Sequence, residues 1–146
     1  MAKPIAIFLT VFALGAAVTL QAHAAEAIDV YKSPSCGCCG KWIDHLKQAG
    51  FEVHTHNVMD IPAARKSLGM PERLGSCHTA KVAGYVVEGH VPAADIQRLL
   101  KEKPKAIGLA VPSMPPGSPG MEGPQPVPYN TLLVKNDSEI AIFAKH

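Results

Sequence analysis

Four cysteines, Cys36, Cys38, Cys39 and Cys77, carry the most reactive chemistry in this 146-residue chain. Three of them crowd the stretch Ser35-Cys36-Gly37-Cys38-Cys39-Gly40-Lys41-Trp42. Thiolate is the form that attacks disulfides and the form that binds metal. The stretch falls between a strand and a helix start, whose partial positive charge and unpaired N–H groups favour thiolate over thiol. Two chemistries compete. Cys36 and Cys39 form a Cys-x-x-Cys pair suited to dithiol redox work. Cys38, however, places a third thiol just before the second member, where it would trap or reshuffle a working disulfide. It suits a multidentate soft-metal site better. Thiolate and thioether ligands select Cu(I), with zinc and iron–sulfur as alternatives. A structural zinc site would show two separated Cys-x-x-Cys knuckles instead. Because thiolates bridge metal ions, the cluster has capacity for more than one Cu(I). Two structural disulfides are the plain alternative, although adjacent Cys38 and Cys39 cannot easily pair with each other.

The elements that must position these thiols follow from periodicity. Ile28 to Tyr31 reads as a strand entering a turn at Ser33-Pro34-Ser35. A helix fits Gly40 to Ala49, with Trp42, Ile43, Leu46 and Ala49 on one face and Gly50 as a left-handed cap residue. Trp42 is expected in the core, over the helix start. Phe51 to Val58 alternates as a second strand, and Asp60 caps a short helix over Ile61 to Leu68. Val82 to Val87 reads as a third strand, with Glu88-Gly89 turning into His90-Val91. Pro92 opens a helix running to about Lys101 that buries Ile96, Leu99 and Leu100, and Pro104 stops it. Residues 112–128 hold seven prolines and three glycines, too many for regular structure. Thr131 to Val134 and Ile140 to Phe143 then form a hairpin. This order implies an α/β sandwich whose first strand–helix–strand unit is a parallel pair with a right-handed crossover. The layout of strand, turn, Cys-x-x-Cys, helix and strand is similar to the first half of thioredoxin-like proteins. In such a layout the loop before the third strand packs on the first helix's N-terminus, bringing Cys77, and with it His78, to the cluster.

Weaker candidates surround these. Met114 and Met121 lie in the Pro/Gly-rich loop, where no apolar periodicity calls for core residues; they read either as thioether ligands or as pins holding the loop down. Met59 and Met70 read as packing residues. His54 and His56 share one face of the second strand and read as ordinary surface polarity more readily than as a ligand pair. His45, His90 and His146 carry no argument beyond surface polarity.

The N-terminus has the pattern of an export signal. Lys3 precedes an uncharged apolar run from Ile5 to Leu20, and Ala22-His23-Ala24 supplies small residues at the −3 and −1 positions. The run is shorter than the ~20 residues of a membrane span. Cleavage after Ala24 would leave one domain, residues 25–146, with no membrane attachment. Without Lys3 the chain carries 13 basic and 12 acidic residues and no basic block, which disfavours nucleic acid and anionic membranes as partners.

Three segments together resemble one family: Tyr31 to Trp42, then Ser76-Cys77-His78-Thr79-Ala80, then Tyr85-Val86-Val87-Glu88-Gly89-His90-Val91-Pro92. It is a domain-of-unknown-function family of small exported metal-binding proteins that includes the CopG-like copper-resistance proteins. The resemblance spans roughly residues 28–144, and Gly117 to Glu122 is similar to a segment recurring in it. It implies a thioredoxin-like mixed sheet with flanking helices, copper bound by the cysteines, and a periplasmic role in copper tolerance. It establishes no catalytic cycle. The expected metal set is Cys36, Cys38, Cys39 and Cys77, with His78, Met114 and Met121 completing the shell. The expected partners are copper ions and another periplasmic copper-handling protein. The alternative is a thiol–disulfide oxidoreductase in which Cys36 attacks and Cys39 resolves.

Overall fold

The structure, a computed structural model, describes residues 26–146. The expected signal peptide and its cleavage point lie outside them. Seven strands form one mixed sheet in the order β2-β1-β3-β4-β5-β6-β7. In chain order the elements are β1 (Ala27–Lys32), α1 (Gly37–Gln48), β2 (Glu52–Asn57), α2 (Ile61–Leu68), β3 (His78–Val82), β4 (Tyr85–Gly89), α3 (Ala93–Glu102), β5 (Ala106–Val111), β6 (Asn130–Lys135) and β7 (Ile140–Lys145). The β1–β2 and β4–β5 pairs are parallel, the others antiparallel. The α/β class, the parallel first unit, the flanking helices, the irregular Pro/Gly-rich loop and the C-terminal hairpin are thus as the sequence implied. Among the described residues no helix is long and apolar enough to cross a membrane.

Period-two alternation gives the central strands two apolar faces. Val87, Leu109 and Val111 join Trp42, Ile43 and Leu46 of α1 and Ile96 and Leu99 of α3 in one core. Val86, Ala110 and Val134 face the other way and pack with Met70 and Leu74. Each fully buried aliphatic side chain contributes about 1.5–3 kcal/mol. Trp42 is fully buried as expected, and its indole N–H donates to Val91 O at 2.8 Å. That bond ties the first turns of α1 to the segment leaving β4.

Some boundaries differ from expectation, each for a local reason. Helix α1 begins at Gly37 rather than Gly40, so Cys38 and Cys39 are helical and Cys36 is the N-cap. Strand β2 alternates in sequence but sits at the sheet edge, and only Val53 is even partly buried. The stretch read as one strand with a turn at Glu88-Gly89 is a hairpin turning at Ala83-Gly84, both at positive φ. Paired positive-φ residues match the right-handed twist of the flanking strands. Strand β5, an apolar run without alternation, was not expected at all. Met59 is 89% exposed and is not a packing residue, whereas Met70 is buried as expected. Helix α2 has the expected bounds, with Asp60 accepting from Ala63 N at 2.9 Å and Gly69 in the left-handed region.

Candidate metal centre

The site forms where β1 hands over to α1. The chain turns at Ser33, whose carbonyl accepts from Cys36 N at 3.1 Å. Cys36 and Cys39, three residues apart at the N-cap and in the first turn, are joined by a disulfide, while Cys38 and Cys77 are free thiols. The plain alternative of two structural disulfides is therefore corrected. The first helical turn brings Cys36 and Cys39 together as the bonded pair and leaves Cys38, between them in sequence, as a free thiol.

The antiparallel pairing of β1 with β3 places Lys32 opposite His78, so the residue entering β3 arrives beside the helix start. As a result Cys77 Sγ lies 3.5 Å from Cys39 Sγ and 3.9 Å from Cys38 Sγ, and Cys38 Sγ lies 3.6 Å from Cys36 Sγ. The ligand atoms of all four cysteines lie within 4.8 Å of one another. Sulfurs on a tetrahedral ion with ~2.3 Å bonds would be about 3.8 Å apart. The donor set is soft and compact, and it fits a thiophilic ion once Cys36 and Cys39 are reduced.

Two histidines complete the floor. His90, fully buried, donates from Nδ1 to Pro119 O at 2.8 Å, which leaves Nε2 as the acceptor facing Cys77 Sγ at 3.1 Å. Such a backbone carbonyl fixes the tautomer and aims the free nitrogen of an imidazole, as behind metal-bound histidines. Burial holds His90 below the usual imidazole range. His78 is also fully buried, its Nδ1 3.4 Å from Cys77 Sγ, and burial followed by the neighbouring His90 lowers its pKa to about 3. Its Nε2 has no partner among the described residues. The ring packs against Trp42 with centroids 4.3 Å apart. Both imidazoles are neutral, the form that ligates. Cys77 behaves unlike the helix-start thiols expected from the sequence. Burial first, and the Cys38 thiol next, push its pKa up to about 12, so without metal it holds its proton. A metal ion must displace that proton on binding.

The Pro/Gly-rich loop is ordered by its own turns and lies across the helix start. Ser118 Oγ donates to Pro115 O at 2.7 Å, Gly117 N to Met121 O at 2.9 Å, and Gly120 N to the Glu122 carboxylate at 2.7 Å. Gly120, at φ +86°, packs so closely that a Cβ there would stand 2.8 Å from Cys38 O and 2.9 Å from Trp42 N. Met114 Sδ reaches 4.0 Å from Cys38 Sγ and stays 44% exposed. Met121 lies in the same loop, but no contact of its sulfur with the cysteines is seen. Of the residues singled out from sequence, the structure thus gathers the four cysteines, His78 and Met114.

His90 is the residue that sequence reasoning missed, having been read as surface polarity. The signal was present. Thr79 pairs with Glu88 across the β3–β4 hairpin, and continuing that register puts residue 90 opposite residue 77. Placing the turn at Ala83-Gly84 would have found it. His54 and His56 lie away from the thiols, exposed on β2, where Asp29 Oδ1 is 3.6 Å from His54 Nδ1 and 2.7 Å from His56 Nε2. The His56 bond is the chief reason the Asp29 carboxyl sits below its ordinary range.

A mixed α/β protein with a four-sulfur cluster at a helix start is the class that this fold and site define. The family described as "Protein of unknown function, DUF411" matches residues 74–121. Among solved structures, copper resistance protein copG in its Form 2 is 44% identical with a TM-score of 0.80, the match covering 84% of this chain and 99% of that one. Its Form 1 is likewise 44% identical, with a TM-score of 0.79 and coverage of 84% and 98%. No curated protein matches. The chain belongs to the DUF411, CopG-like family, and its cysteine cluster and relatives support a copper-related role.

Proposed function

We propose that this protein is an exported, periplasmic copper-binding protein that contributes to copper resistance by holding Cu(I) on clustered thiolates. Residues 1–24 act as the signal peptide, and residues 25–146 form a thioredoxin-like domain. The β2-β1-β3-β4 order, with β1 and β2 parallel and β3 and β4 antiparallel, supports that fold reading. The observation that carries the function is the meeting of four sulfurs from two separate segments within one ligand-sized volume. Cys36, Cys38, Cys39 and Cys77 supply thiolates, and Met114 and the imidazoles of His78 and His90 are the nearest further donors. Met121 enters the shell only if the loop shifts on loading. Thiolate and thioether donors favour Cu(I) over harder ions. The cluster has enough sulfur to bridge more than one ion, and another periplasmic copper-handling protein would be its natural exchange partner.

A second reading has its own support. The Cys36–Cys39 disulfide, with the Cys77 sulfur 3.5 Å from Cys39, is the layout of a thiol–disulfide couple. Forming that disulfide releases two electrons and two protons, enough to reduce two Cu(II) ions to Cu(I). Binding and thiol redox chemistry are then two states of one site. Anaerobic titration of the reduced protein with Cu(I) against a chromophoric competitor separates the readings. Binding predicts tight uptake of at least one ion per chain that falls in Cys38→Ser. A pure oxidoreductase predicts no uptake beyond the competitor, with dithiol exchange intact in Cys38→Ser.

A further inference from the structure

Arg65 on α2 and Glu88 on β4 are both buried, and beyond the bond between them their side chains bond, among the described residues, only Glu72 and Ser76, in the segment before Cys77. Arg65 donates from Nε to Glu88 Oε1 at 2.8 Å, from Nη1 to the Glu72 carboxylate at 3.0 Å, and from Nη2 to Ser76 O at 2.7 Å. Glu88 Oε1 also accepts from Ser76 N at 2.7 Å. Both backbone polar groups of Ser76 are therefore gripped by one ion pair, immediately before Cys77. The guanidinium packs closely on Gly75, where a Cβ would stand 2.8 Å from Arg65 Cζ. The grip extends to the loop. Ser113 N donates to Gly75 O at 3.2 Å and Ser76 Oγ donates to Ser113 O, next to Met114.

A buried ion pair is a poor device for stability, because desolvation offsets most of its attraction and apolar residues of similar volume often do as well or better. This pair spends its hydrogen bonds on one short piece of backbone instead. We propose that Arg65 and Glu88 are positioning residues for the metal centre, clamping Ser76 so that the Cys77 sulfur is held against Cys38 and Cys39 and the Met114 segment is tied alongside. The proposal rests on the reading of Cys77 as a copper ligand, which it deepens. Neither residue touches the thiols. Both act through the backbone of the 75–77 segment.

Two variants test it. Arg65→Met/Glu88→Leu replaces the pair by apolar side chains and should keep the fold. Glu88→Gln keeps the shape of the side chain and the Oε1 acceptor that Arg65 and Ser76 N share, and so is the folded control in which the grip on Ser76 stays. The first readout needs no metal. In a Cys38→Ser background with the Cys36–Cys39 disulfide intact, Cys77 is the one remaining free thiol among the described residues. Its alkylation should be about tenfold faster or more in the double variant and near wild type in Glu88→Gln, at unchanged circular dichroism, because the local segment opens without global unfolding. The second readout is Cu(I) affinity of the reduced protein with native Cys38, which should fall about 10- to 100-fold in the double variant, as for other groups that orient ligands. Combining the double variant with Cys77→Ser should cost little beyond Cys77→Ser alone, since the clamp acts through that thiol. A folded double variant with wild-type Cys77 alkylation overturns the clamp. So does a clamp variant whose loss of affinity adds fully to that of Cys77→Ser. Faster alkylation in a protein whose wild type takes up no Cu(I) upholds the clamp and overturns the copper reading of the site.

Discussion

Gly120→Ala should lift the Pro/Gly-rich loop off the metal centre. Gly120 sits at φ +86°, and an added Cβ would stand 2.8 Å from Cys38 O, 2.9 Å from Trp42 N and 3.3 Å from Trp42 Cα. All three are backbone atoms in the first turns of a helix, so none can swing aside as a side chain would. The left-handed conformation costs alanine about 1–2 kcal/mol. Overpacking against fixed atoms costs about 1–3 kcal/mol more. A total of about 2–5 kcal/mol is large against the ~5–15 kcal/mol that holds a domain folded. Relief comes by undocking the loop, which breaks the Pro119–His90 bond and withdraws Met114 from Cys38. Gly123→Ala is the internal control, since nothing lies within 4 Å of its Cβ position and its φ is not positive. Urea unfolding together with the alkylation rate of Cys38 reads both effects. Gly120→Ala should lower the unfolding midpoint, speed labelling, or do both, while Gly123→Ala should stay within about 0.5 kcal/mol of wild type. Equal behaviour of the two variants would refute the close docking of the loop on α1.

The oxidised, metal-free protein should titrate two free thiols per chain with a thiol reagent and four after reduction, and Cys38→Ser one and three. Any other count would mean a different pairing. Stability of the metal-free protein should fall with acid. The folded pKa of His78 is lowered to about 3, so between there and its unfolded value near 6.5 the unfolded chain binds a proton that the native state does not. The stability is fully present above about pH 6.5 and is lost below it at up to ~1.4 kcal/mol per pH unit. Urea midpoints between about pH 7 and pH 5 should show this, and His78→Gln should flatten the slope. His90→Phe keeps a ring of similar size but strands the Pro119 carbonyl and removes the acceptor at Cys77. It should weaken Cu(I) binding by about tenfold or more in the same competitor titration.

The local signals that were legible in the sequence are those fixed by neighbouring residues. Asp60 and Gly69 bound α2 because each satisfies a terminal backbone group by itself. The thiol cluster was legible because Cys36, Cys38 and Cys39 share one turn, and Cys77 followed once a strand–helix–strand layout was assumed. What was hidden depends on pairing at a distance. The apolar residues around Ala83-Gly84 masked a tight turn in which a non-glycine residue takes positive φ, and a turn placed five residues late moved His90 from the cluster to the surface. Strand β5 was hidden because a strand covered on both faces shows no alternation. Met114 and Met121 looked equivalent in composition, and only the turns at Ser118 and Gly117 decide which sulfur faces Cys38.

The most direct test of the thiolate account is X-ray absorption at the copper edge on reduced protein loaded anaerobically with Cu(I) and freed of excess metal. The account predicts retained Cu(I) with sulfur as the dominant first-shell scatterer, and a loss of copper in Cys38→Ser/Cys77→Ser. A shell of nitrogen and oxygen alone, unchanged in that variant, would contradict it and move the copper to a surface such as His54, His56 and Asp29.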